Sequence, residues 1–167
     1  MIALSTLRRT RAAEPNIEHR TSNLEPTDLR VLSLREAEIL SAVAARMTDT
    51  GDAEMPAFAA TPALETIDVA LLRVPDDQRR QLGIALKLVE YGPVLFDFRF
   101  SRFTALDPAE QDESIAGWRD SRFETRRLAY RALKNLSFLG YYTQDATWKG
   151  IHYLGPVLPR PRRPVPT

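Results

Sequence analysis

With 167 residues, 44% of them apolar and 27% charged, the chain can build one hydrophobic core of ordinary size but not two full domains. Its 23 basic and 22 acidic side chains leave a net charge of +1, which supplies no global field to steer it onto nucleic acid or an anionic membrane. With no cysteine, disulfide frameworks, iron-sulfur clusters, covalent haem attachment, thiolate zinc sites and cysteine nucleophiles are excluded together.

Near the N-terminus, Arg8-Arg9 has the form of a twin-arginine signal, but the stretch from Arg11 to Arg20 is polar where an apolar region should follow, so no export is implied. Apolar runs such as Val69-Ala-Leu-Leu72 fall far short of the roughly 20 residues of a membrane span, and a soluble, cytoplasmic protein is expected. Residues 1–31 contain Pro15, Pro26 and scattered charges without a period, and read as an extended or disordered arm.

A helical domain is expected over 32–154. Ser33-Leu-Arg-Glu36 has capping-box spacing, and Ala37, Leu40, Val43, Ala44 and Met47 then recur on one face until Thr48-Asp-Thr-Gly-Asp52 ends the helix. Thr61-Pro62 predicts the second helix, with Thr as cap and Pro in first position, and Leu64, Ile67, Leu71 and Val74 as its buried stripe. After Pro75 a third helix turns Leu82, Ala85, Leu86 and Val89 inward, with Gly92-Pro93 as terminator. Between Val94 and Phe103 the phenylalanines fit both strand alternation and helical spacing; a strand would need a partner that the chain lacks, so helix or irregular packing is expected. Asp107-Pro108-Ala-Glu110 starts a fourth helix through Ile115 and Trp118. Ser121-Arg-Phe-Glu124 reads as another capping box, leading through Leu128, Ala129, Leu133 and Leu136 to Gly140 as C-terminal cap. The expected fold is all-α: a single domain of five to six helices. Residues 155–167, with five prolines and three arginines, form a Pro/Arg-rich, polyproline-like tail.

Catalytic and cofactor motifs are absent. The seven glycines make no dinucleotide or phosphate-binding loop, and neither His19 nor His152 stands in a metal-ligand or hydrolase pattern, so no catalytic, cofactor-binding or metal residue is assigned. Glu110, Asp112 and Glu113 are expected to be a solvated first turn favoured by the helix dipole.

Two features remain. Residues 1–117 carry 13 basic and 19 acidic side chains, a net of −6, whereas 118–167 carry 10 and 3, a net of +7. Arg119, Arg122 and Arg126, with Arg127, Arg131 and Lys134 beside them, could contact an acidic partner, or their stems could lie over the core; nothing accompanying them marks a nucleic-acid recognition helix. The second feature is the run Tyr141, Tyr142, Trp148, Ile151, Tyr153, Gly155 and Pro156, whose aromatics could close the bundle or meet a partner.

Together with Phe103, Leu106 and Trp118, that run resembles the gluconate 2-dehydrogenase subunit 3 family and the helical segment preceding the flavin domain of long-chain alcohol oxidases. The likeness covers roughly 34–156 and its motifs are specific after Phe103; the family usually has Gly where His152 stands, and many relatives carry an export signal. The resemblance implies a non-catalytic small subunit of a hetero-oligomer, with FAD and the catalytic histidine on a glucose-methanol-choline (GMC) type flavoprotein partner. Its expected docking residues are Tyr141, Tyr142, Trp148, Ile151, Tyr153, Pro156, Arg160, Arg162 and Arg163. The alternative is a free-standing helical interaction protein recruiting an acidic partner through its basic helix and Pro-Arg tail.

Overall fold

The computed structural model describes residues 29–97 and 99–155, and among these the fold is all-α, without a strand. Six helices follow in order: α1 (Leu34–Thr48), α2 (Ala63–Leu71), α3 (Asp76–Phe96), α4 (Pro108–Arg119), α5 (Glu124–Tyr142) and the single turn α6 (Asp145–Trp148), with 3-10 turns at Phe58–Ala60 and Phe103–Ala105. α5 is the centre of the bundle and packs against α1, α2, α4 and α6, while α3 packs against α1 and the Phe103–Ala105 turn. The core joins Leu40 and Val43 of α1, Ile67 of α2, Leu86 of α3, Trp118 of α4 and Leu133 and Tyr141 of α5.

The two clearest sequence signals hold. Ser33 and Glu36 form the reciprocal capping box of α1, and Asp107 and Glu110 form that of α4, with Pro108 in the first turn. Each satisfies backbone donors that a helix start leaves orphaned. The expectation of helix or irregular packing from Val94 also holds: α3 continues to Phe96 and the next regular element is the Phe103–Ala105 turn, with no strand among the described residues.

Elsewhere tertiary packing moves the boundaries. α2 begins one residue later than Thr61-Pro62 predicts: Pro62 is the N-cap, and the Thr61 hydroxyl instead donates to Phe58 O at 2.8 Å, closing the preceding 3-10 turn. Gly92-Pro93 does not stop α3, which continues to Phe96. The fixed φ of proline is compatible with a helix, and its missing N-H is tolerated here one turn from the end, where Asp97 N and Arg99 N both donate to Pro93 O. Gly92 is required for a different reason, because a Cβ there would lie 3.1 Å from the indole Cζ2 of Trp118, so its role is close approach of α3 to α4. The capping box expected at Ser121 is also absent: α5 starts with Phe123 as N-cap, and the Ser121 hydroxyl accepts from Phe123 N within the preceding turn. Leu128, expected inward, is exposed; the buried face of α5 runs instead through Ala129, Leu133, Ser137, Gly140 and Tyr141.

Gly140 likewise does not terminate its helix. It lies within the last turn of α5, two residues before its end, where a Cβ would fall 2.6 Å from Ile67 Cγ1 and 2.8 Å from the backbone oxygen of Ala63. The α2–α5 contact therefore needs a residue without a side chain. The last carbonyls of α5 are capped by side chains, Thr143 Oγ1 donating to Leu139 O and Gln144 Nε2 to Gly140 O, both at 2.8 Å.

Two buried carboxylates pin these helices. Asp68, 1% exposed on α2, accepts the backbone N-H groups of Arg30 (2.6 Å), Val31 (3.0 Å) and Leu32 (2.8 Å), fixing the approach of the chain to α1 and seating Leu32 in the core. Glu90, 1% exposed on α3, accepts from Arg35 Nη2 of α1 and from the hydroxyl (2.8 Å) and backbone N-H (3.2 Å) of Thr104. A buried carboxylate is tolerated only when donors replace its water, and here both are surrounded by them.

Two expectations follow for stability, both read by chemical denaturation. Asp68→Ala leaves three backbone donors without their acceptor and should cost about 2–4 kcal/mol, whereas Gln81→Ala on the exposed side of α3 should stay within about 0.5 kcal/mol of the parent. Gly140→Ala, which helix propensity alone would favour by about 1 kcal/mol, should instead destabilise by about 1–3 kcal/mol, because Ala63 presents backbone that cannot move aside.

Candidate interaction site at the end of the helical domain

The aromatic run begins inside the core. Tyr141 is 1% exposed, stacks on Phe58 at 6.3 Å between ring centroids, and donates its hydroxyl to Pro56 O. Burial pushes its phenol above the ordinary tyrosine value, since the phenolate would lose water. Tyr141 therefore serves closure of the bundle, the structural alternative for these aromatics. Tyr142 is half-buried, edge-on to Phe138 at 5.3 Å and to Tyr141 at 5.2 Å.

Beyond α5 the chain makes the short turn α6 and then reverses. Trp148 Nε1 donates to Tyr142 O at 3.1 Å, anchoring the indole to the end of α5. Downstream, His152 N donates to Lys149 O at 3.1 Å and Tyr153 N donates to Trp148 O at 2.9 Å. These paired bonds make a Schellman motif, in which the residue just past the helical turn takes left-handed backbone. His152 does so with φ of 54°. The apolar contact that accompanies such a motif is also present, as Tyr153 meets Trp148 edge to face at 5.1 Å. Gly155, at φ 95°, then folds against the indole, where a Cβ would lie 3.2 Å from Trp148 Cζ3.

This arrangement explains the sequence spacing. Trp, a four-residue interval and Tyr place the two rings at the positions a Schellman cap brings together, and the following Gly supplies the second left-handed residue. Ile151 and Tyr153, both close to half-exposed, project from the cap with Leu154. Of the expected docking residues, the structure thus brings Trp148, Ile151 and Tyr153 together at one end of the bundle and puts Tyr141 in the core; Pro156, Arg160, Arg162 and Arg163 lie outside the described residues.

The basic helix is largely engaged within the molecule. The Arg126 guanidinium lies over Phe96 (4.6 Å) and Trp118 (4.9 Å), and its buried Nε and Nη2 make no hydrogen bond, so ring faces stand in for water. Arg127 donates to Ser121 O at 2.6 Å, Lys134 lies over Phe138, and Arg122 over Phe123. Arg119 grips Asp120 through two hydrogen bonds, holding that carboxyl below its ordinary value. The α4 carboxylates, expected to be merely solvated, are tied by arginines from other elements: Arg46 of α1 holds Asp112 with bonds of 2.8 and 2.6 Å, and Arg99 reaches Glu110 and Glu113. Sequence spacing could not reveal these pairs because each joins residues at least 11 positions apart.

Among the described residues there is no group of three or more histidine or carboxylate side chains placed to hold a metal ion, and no helix is long and apolar enough to cross a membrane. No family model, curated protein or solved structure matches this chain.

The cap geometry makes a direct prediction. A left-handed non-glycine residue carries strain of about 1 kcal/mol, so His152→Gly should raise the stability of the domain by about that amount. Thermal and urea denaturation of the two proteins will show it as a higher midpoint with unchanged helicity.

Proposed function

We propose that this chain is a non-catalytic small subunit that binds and stabilises an FAD-dependent alcohol or sugar dehydrogenase or oxidase of the GMC type, with FAD and the catalytic histidine on that partner. One observation carries this reading: the Trp148–Tyr153 pair, locked by the Schellman cap, leaves Ile151 and Tyr153 half-exposed where the chain leaves the bundle. In the one-chain alcohol oxidases that the sequence resembles, the helical part hands over to the flavin domain at this point. A separated subunit would keep that contact after the peptide link is lost. The left-handed backbone of His152 adds support, because it is the conformation that glycine adopts without strain and the family usually carries glycine there.

The chemistry of such a surface is docking. Rigid aromatics with few rotamers lose little entropy on binding, and large rings near the centre of an interface dominate its energy. The Pro-Arg tail that follows carries Arg160, Arg162 and Arg163, which can pair with carboxylates of a partner.

Recovery of the full chain from its native host should bring down a flavoprotein in fixed ratio with visible flavin absorption, while the chain purified alone should carry no flavin. Trp148→Ala should weaken the complex by about 2 kcal/mol, roughly thirtyfold in dissociation constant, with helicity unchanged by circular dichroism. FAD bound stoichiometrically to the isolated chain, or a complex indifferent to Trp148→Ala, would overturn the reading.

A further inference from the structure

The described residues begin at Leu29, and the backbone N-H groups of Arg30, Val31 and Leu32 are held by Asp68 of α2. Val31 also lines an open groove of about 600 Å³ between the start of α1 and the first turns of α3. The charges in this groove are unevenly engaged. Asp76 pairs with Arg79, and Glu36 accepts from the backbone N-H and hydroxyl of Ser33 in the α1 capping box. Arg80 and Lys87 are exposed and form no ion pair with another described residue, so the groove presents two uncompensated cations. Arg80, Ile84 and Lys87 follow one another at intervals of four and three residues, which puts both cations on one face of α3 with an exposed isoleucine between them. Along the helix axis the two cations are about 10 Å apart.

We propose that residues 25–28 of this chain, Glu25-Pro26-Thr27-Asp28, seat in that groove, with Asp28 on Arg80 and Glu25 on Lys87. The spacing matches. Three residues of extended chain cover about 10 Å, the interval between the two cations, and Pro26 favours that conformation by fixing its own φ and biasing Glu25 toward extended backbone. The tether reaches: Asp28 is three residues from Val31, so it lies within about 11 Å of the groove wall. Its direction follows as well, since Val31 shares a second, smaller cavity with Arg79 and Gly83, which places it toward the Arg80 end. Charge and tether together select this occupant. Exposed ion pairs are individually too weak to hold a free peptide, whereas a carboxylate tied a few residues from the wall acts at an effective concentration in the millimolar range. Residues 14–28 carry four carboxylates against one arginine, the sign that the groove requires. Seated there, the segment extends the anchoring that Asp68 begins and covers the seam between α1 and α3. This contact is independent of the flavoprotein reading, which uses the α6 end of the domain.

Because the chain has no cysteine, introduced thiols locate the segment in the full-length protein. Thr27→Cys with Ile84→Cys should close an intramolecular disulfide under a mild oxidant at least about tenfold faster than Thr27→Cys with Leu128→Cys. Ile84 and Leu128 are both 59% exposed, so accessibility does not separate them. Adding Arg80→Glu and Lys87→Glu should slow the first closure about threefold or more, with helicity unchanged by circular dichroism, and adding Glu25→Lys and Asp28→Lys to that protein should restore the rate. Raising the salt concentration should slow the closure in the protein with unaltered charges. Equal rates at positions 84 and 128, a rate indifferent to charge reversal, or a reversal that the exchanged charges do not rescue would each overturn the proposal. Linkage between chains rather than within one would overturn it too, and would assign the groove to the same segment of a second copy.

Discussion

Glu90 sits where three parts of the chain meet, and the bundle can close only if its carboxylate is satisfied there. Moving an isolated carboxylate out of water costs several kcal/mol, and this one is recovered by Arg35 from α1 and by both the hydroxyl and the backbone N-H of Thr104. The partners come from two elements, α1 and the Phe103–Ala105 turn, and Glu90 itself from a third. Any rotation of α3 that moved Glu90 away from them would leave a buried charge without donors. Apolar packing tolerates several helix rotations of similar energy, whereas this constellation tolerates one. Asp68 does the same for the approach to α1, converting three backbone amides into a fixed anchor for the residues before Ser33.

The same logic governs the arginines. A helix with cations at three-to-four spacing looks like a binding surface, yet Arg126 lies over both Phe96 and Trp118, and Arg127 is turned back onto the chain. Arginine suits this because its planar, weakly hydrated head stacks on rings and its stem covers apolar surface. The basic charge that the sequence concentrates after residue 117 is thus partly structural. Two apolar features also stay exposed among the described residues: the Schellman cap at the end of the domain and the outer side of α3.

These two surfaces are of different construction. At the cap, backbone hydrogen bonds hold Trp148 and Tyr153 in a fixed mutual pose, so the exposed ring of Tyr153 is preorganised by local geometry. On α3 the helix itself is the scaffold, and its exposed apolar side chains recur with the helical repeat. A preorganised cap suits capture of a partner, because little ordering remains to be done on binding.

The all-α class, the helix starts at Ser33 and Asp107, and the inward stripe of α1 were legible in the sequence because their determinants act within one or two turns: a cap needs partners three residues apart, and a stripe needs only the helical period. Local spacing also drew attention to the Trp148–Tyr153 interval, although the reason for it, a Schellman cap with histidine in the left-handed position, needed backbone geometry to see. Gly92 and Gly140 show where local reading stops. Both look like terminators by composition, and both are instead contact points where another helix comes too close for a Cβ, at Trp118 in one case and at Ile67 and Ala63 in the other. The partners of Glu90, Asp68, Asp112 and Arg126 lie beyond any local window for the same reason. Sequence by itself determined which segments are helical and which faces are apolar; only tertiary structure decided which faces are covered, since that depends on the distance between helices far apart in the chain.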